Sequence, residues 1–168
     1  MKQTLKSTIA LAMTAAAAII AGGAVAEPVS MEVLLTPQEQ VKFDFADGSK
    51  HFVLAVRREG KAEGSGPFTG AAVTEIGWHD VNPPISAEPQ GYLQLTADNG
   101  DVAILRWSVK ATFVKGAEGK PALFNGGVWE LVSGTGQFAD KRGVGSLIIK
   151  PQGGPNLFIL QGEVGDKV

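Results

Sequence analysis

Apolar and polar residues alternate along most of this chain with a period of two, the spacing that places every second side chain on one face of a strand. Over residues 101–114, Ala103, Leu105, Trp107, Val109, Ala111 and Phe113 share one face, while Arg106, Ser108, Lys110 and Thr112 share the other. A strand of that length runs to about 46 Å at about 3.3 Å per residue, so it has to bend or coil around a closed sheet. Val41, Phe43 and Phe45 alternate with Lys42 and Asp44, and Asp47-Gly48 follows as a turn tolerant of positive φ. A second run then covers 51–57. Asn99-Gly100 is a hairpin signal that joins 91–96 to the long strand. Residues 71–80, 127–132, 144–150 and 157–164 supply four more strands. No helical period is longer than 31–40, and 59–70 and 81–89 read as the long irregular stretches.

About eight strands, with turn signals every ten to fifteen residues or so, predict an all-β fold: a sandwich or an up-and-down barrel. Closure into an eight-stranded antiparallel barrel of the calycin kind removes exposed strand edges. Composition agrees. Glycine is 22 of 168 residues and proline 9, which leaves little room for long helices.

The first residues form a separate unit. Lys2 and Lys6 precede an apolar stretch over 9–20, which ends in Ala24-Val25-Ala26 before the first acid, Glu27. That order is charged end, apolar middle and small-residue cleavage site, as in a secretory signal. The uncharged stretch 7–26 is nearly long enough to anchor in a membrane, but alanine and glycine dominate it and partition poorly into hydrocarbon. The expected division is therefore 1–26 as signal peptide and 27–168 as one barrel domain, periplasmic or secreted, with no membrane partner after cleavage. Without Lys2 and Lys6, 13 basic and 17 acidic groups remain, a net charge of −4, which argues against nucleic acid and anionic lipid as partners. The chain has no cysteine. Disulfides, thiolate nucleophiles and cysteine-ligated metals are excluded, and any chemistry must use oxygen and nitrogen groups.

The segment Gly126-Gly127-Val128-Trp129-Glu130-Leu131-Val132-Ser133-Gly134-Thr135-Gly136-Gln137-Phe138-Ala139, followed by Gly143-Val144-Gly145, resembles the strand, G-T-G-x-[FY]-A turn and glycine-flanked strand of the allene oxide cyclase and dirigent barrels. Gly134 and Gly136 permit a sharp reversal, and Phe138 can fold back to plug the barrel end. Read as a dinucleotide signature, the same glycines lack the helix that must follow them. The resemblance implies an eight-stranded antiparallel barrel, often trimeric, that holds a small hydrophobic molecule and guides its cyclisation or coupling by shape, without a metal or organic cofactor. Outside the turn motif the chain departs from the plant enzymes, and none of their catalytic residues carries over.

Candidate chemistry is sparse. Two histidines exclude a three-histidine metal site; a mixed site using Asp80 and Glu75 stays open, and no metal is expected. On the strand over 71–80, Val73, Glu75, Gly77 and His79 share one face, and Thr74, Ile76, Trp78 and Asp80 the other. If the first face points inward, Glu75 and His79 are the candidate acid and base, about 13 Å apart along the strand and too far for direct proton transfer. Trp78 and Ile76 carry more apolar payload than Val73 and Gly77, which favours their face as core and leaves Glu75 and His79 in solvent. Arg106 would hold a carboxylate if it faced a lumen, and would be solvated if it faced out. Tyr92 would donate its hydroxyl to a pocket or cover the outer sheet. Trp107 and Trp129 either line the lumen against a ligand or, with Phe113, pack it completely. The Arg57-Arg58, Lys141-Arg142 and Lys150 charges are scattered among acids and read as solvated surface. No G-x-S-x-G elbow or G-K-[ST] loop is present. The expected function is binding of a small hydrophobic ligand in the barrel. The alternatives are a cofactor-independent isomerase or cyclase, and a filled barrel whose function is assembly into a dimer or trimer.

Overall fold

The computed structural model describes residues 26–168; the signal-peptide reading of the first residues lies outside them. Eight strands run β1 (Glu27–Asp44), β2 (Phe52–Ser65), β3 (Ala72–Asn82), β4 (Ser86–Thr96), β5 (Val102–Lys115), β6 (Pro121–Gly134), β7 (Lys141–Pro151) and β8 (Asn156–Asp166). Each pairs antiparallel with its neighbours in sequence, and β8 pairs back onto β1, so the sheet closes into a barrel. Both hairpin signals are used as turns, with Gly48 and Gly100 at positive φ. At the first of them the hydroxyl and amide of Ser49 hold the Asp47 carboxyl below its ordinary value.

Inward side chains follow the period of two. Ala103, Leu105, Trp107, Val109 and Ala111 of β5 are buried, as are Val29, Met31, Val33 and Leu35 of β1. The helical reading of 31–40 is therefore wrong. Apolar residues at every second position serve a strand that pairs with β8 through Leu35, and beyond that point with β2 alone. The expected loops are shorter as well, because β2 continues to Ser65 and β4 begins at Ser86.

The two ends differ. At the lower end, where the β2–β3, β4–β5 and β6–β7 connections lie, Phe68 and Phe138 close the barrel with ring centroids 5.7 Å apart. The G-T-G turn explains how Phe138 gets there. Gly134 has no side chain where the Phe138 Cβ packs, at 2.5 Å from a built Cβ. Thr135 continues the ladder, since its hydroxyl accepts from the Val102 amide at 2.9 Å. Gly136, at φ +50°, leaves room for the Asp101 carboxylate, which accepts from the Gln137 amide at 2.9 Å.

The upper end is more open. β6 and β7 pair only from Gly127 to Leu131, and above that seam Asn125 substitutes for the ladder. Its amide donates to the Ile149 carbonyl at 2.7 Å, and its oxygen accepts from the Ile149 amide at 2.9 Å. Replacing Asn125 with Ala leaves both Ile149 groups without these bonds. The expected loss is about 1–3 kcal/mol, read by chemical denaturation, with faster amide exchange at Ile149 than at Leu147.

Candidate functional site

Strand β3 turns toward the lumen the face that payload argued against. Glu75 is 0 % exposed and His79 7 %, whereas Trp78 on the opposite face is 50 % exposed. The reason is volume. One cross-strand row contains Val56, Gly77, Gly91, Trp107, Trp129, Gly145 and Gly162. Two indoles already fill the lumen at that level, so the inward positions beside them on β3, β4, β7 and β8 have no side chain.

Gly77 also brings the candidate acid and base together. A Cβ built on it would lie 2.3 Å from Glu75 Oε1 and 2.8 Å from His79 Nε2. Over this bare position the two side chains lean toward each other until Nε2 and Oε1 are 3.3 Å apart, although their backbones are separated as the strand spacing requires. The expected separation of the two functional groups is corrected accordingly.

A third member, Arg58, reads from the sequence as solvated surface but is 4 % exposed. It stands opposite Glu75 in the β2–β3 register. Its Nη1 donates to Glu75 Oε2 at 2.7 Å and Oε1 at 3.0 Å, and lies 3.1 Å from His79 Nε2. A signal for it exists in the chain: Glu59, Lys61 and Glu63 alternate with Gly60 and Ala62, and carrying that period back through the end of the run puts Arg58 on the apolar face.

These contacts constrain the imidazole. Nε2 cannot accept from Arg58 and donate to Glu75 at once. In the neutral ring that accepts from Arg58, the hydrogen sits on Nδ1. Nδ1 makes no hydrogen bond among the described residues, and His79 lines a cavity of about 290 Å³ at the upper mouth, walled mainly by Val81, Ala87, Val109, Ala111, Phe113 and Ile149, with Asn125 and Asn156 also in the lining. In that tautomer the N–H of His79 that is free of the cluster belongs to a residue of the cavity lining. Among the described residues no three His, Asp or Glu side chains are grouped to hold a metal ion.

The other candidates divide. Trp107 and Trp129 lie inside, the first with its ring 5.9 Å from that of His79. Trp129 packs over Gly145 and Gly162 and donates to the Gln161 carbonyl at 3.2 Å. Tyr92 and Arg106 do not face the lumen. They are cross-strand neighbours on the outer wall, where Arg106 Nη2 pairs with Glu130 Oε2 at 2.6 Å. His51 sits partly buried near the upper rim, stacked on Phe45 and bonded to Asp80 at 2.5 Å, and so ties the β1–β2 hairpin to β3.

No protein-family model matches the chain, and no curated protein matches it in sequence. Solved structures share its shape. A β-barrel-like protein from Acinetobacter baumannii AYE aligns with a TM-score of 0.52 at 14 % identity, over 86 % of this chain and 99 % of that one. A conserved protein of unknown function from Rhodopseudomonas palustris also gives 0.52, at 11 % identity over 83 % and 98 %. At such identities the likeness is one of fold, and the fold is the β-barrel.

Proposed function

We propose that this barrel binds a small, largely apolar molecule in its upper mouth, with a hydrogen-bond acceptor on that molecule held by His79 Nδ1. The observation that carries the reading is the largely apolar cavity lined by a histidine whose Nε2 lies 3.1 Å from Arg58 Nη1. Apolar walls with a few placed polar groups, here His79, Asn125 and Asn156, are what small-molecule sites have in common. The lumen below is filled by Trp107, Trp129, Phe158 and Leu105, so the guest is confined to the mouth. With the secretory reading of residues 1–26, the protein is a periplasmic or secreted carrier or sequestering protein.

A second reading has one observation behind it. The Glu75–His79 contact resembles the carboxylate that orients an imidazole for proton transfer, and the likeness to allene oxide cyclase and dirigent barrels suggests a cofactor-independent isomerase or cyclase. General-base work at the mouth needs a lone pair on Nδ1, and hence Nε2–H donated to Glu75. The closer Arg58 contact is met by the opposite tautomer. Binding therefore ranks first.

Native mass spectrometry of protein taken from its own host tests the proposal. Wild type is expected to carry a small-molecule adduct. Ala111→Phe, which puts a phenyl ring into the mouth, is expected to lose it while unfolding at the wild-type midpoint. His79→Phe keeps a ring but removes the donor, and is expected to weaken binding of the recovered molecule about fivefold, the worth of a hydrogen bond of about 1 kcal/mol. An adduct unchanged in Ala111→Phe overturns the location. No adduct from any preparation overturns the function.

A further inference from the structure

Outside the barrel, a hollow of about 650 Å³ crosses the wall formed by β3 to β6. Its position follows from the row of inward glycines. At Gly91 a built Cβ would lie 2.2 Å from the Ile76 carbonyl, so no side chain fits on β4 beside β3 at this level. Two outward rows flank that strip. In one, Trp78 faces Gln90, then Ser108 and Val128; in the other, Ile76 faces Tyr92, then Arg106 and Glu130. Trp78 and Tyr92 are each 50 % exposed, although aromatic rings of this size bring much of their stabilisation by being covered.

We propose that this groove is a binding site for uncharged saccharides. Trp78 and Tyr92 are the half-exposed aromatic rings in the lining, against which the C–H face of a pyranose would stack. The amide of Gln90, the hydroxyl of Ser108 and the Arg106–Glu130 pair lie between and beside them, supplying both donors and acceptors for equatorial hydroxyls. Charge selects the class. Arg106 and Glu130 are the charged residues of the lining and neutralise each other at 2.6 Å, so the groove offers no net charge to a phosphate or a polyanion. The site is independent of the mouth, because Trp78, Gln90, Tyr92, Arg106, Ser108 and Glu130 stand on the outward rows, although the inward Trp107 and Trp129 also border the hollow.

Calorimetry and tryptophan emission with maltose, cellobiose and N,N′-diacetylchitobiose test this. At least one of the three is expected to bind saturably and to shift emission, and the shift belongs to Trp78, because Trp107 and Trp129 are buried. Trp78→Ala and Tyr92→Ala are each expected to weaken binding about tenfold with the unfolding midpoint kept, while Ala111→Phe leaves it unchanged. Three probes that fail to bind at millimolar concentration overturn the proposal, as does binding that survives both aromatic substitutions. A dimer in light scattering that Trp78→Ala dissociates also overturns it, by assigning the groove to a second copy.

Discussion

Arg58→Met is expected to destabilise the barrel by about 3–5 kcal/mol, the cost of removing one member of a buried ion pair. Glu75 is fully buried, and among the described residues its carboxylate accepts from Arg58 Nη1 at both oxygens, with His79 Nε2 3.3 Å from Oε1. Met keeps much of the arginine stem but leaves a desolvated charge behind. The double variant Arg58→Met, Glu75→Leu is expected to recover most of the loss, because apolar residues of similar volume replace a buried pair at little net cost. Equilibrium denaturation of wild type, both single variants and the double variant measures the coupling. A loss below about 1 kcal/mol for Arg58→Met, the size seen for exposed pairs, would mean that this cluster is wet.

Trp129→Ala is the second large effect, again expected at about 3–5 kcal/mol. The indole is fully buried and lies over a floor of backbone: built Cβ atoms at Gly145 and Gly162 would fall 2.5 and 2.7 Å from its ring. Cavity cost depends on how far the surroundings can collapse. Glycine has no side chain to swing into the space, so the loss belongs at the upper end of the range. The hydrogen bond to the Gln161 carbonyl is lost too. Free indole added to Trp129→Ala is expected to raise its unfolding temperature, as an apolar cavity takes up a matching apolar guest. The reciprocal change, Gly145→Ala, offers no such rescue, because its Cβ would also meet the Gln161 carbonyl at 2.0 Å.

Legibility in the sequence tracks how local each signal is. Strand β5 is read from its own residues, since a long alternation has one way to bury Leu105 and Trp107 and keep Arg106 and Lys110 wet. The hairpins at Gly48 and Gly100 need only a turn that accepts positive φ. For β3, both faces carry a mixed load, and payload alone pointed to the wrong one. What decided was the space left by tryptophans on β5 and β6, some thirty and fifty residues further along the chain. Arg58 lies one residue past the end of the apolar run 51–57, and only the alternation beyond it, through Gly60 and Ala62, places it on the inward face. For Tyr92 and Arg106 the alternation leaves both faces open, and closure puts both on the outer wall.

By itself, then, the sequence determined an antiparallel barrel punctuated by glycine and plugged at one end by an aromatic turn, because pairing period and turn chemistry are properties of neighbouring residues. The gathering of Arg58, Glu75 and His79 beneath an apolar mouth, and the exile of Trp78 and Tyr92 to the outside, were decided only by closure. Closing the sheet makes distant strands compete for one interior volume, and the face each strand turns inward is settled by that competition.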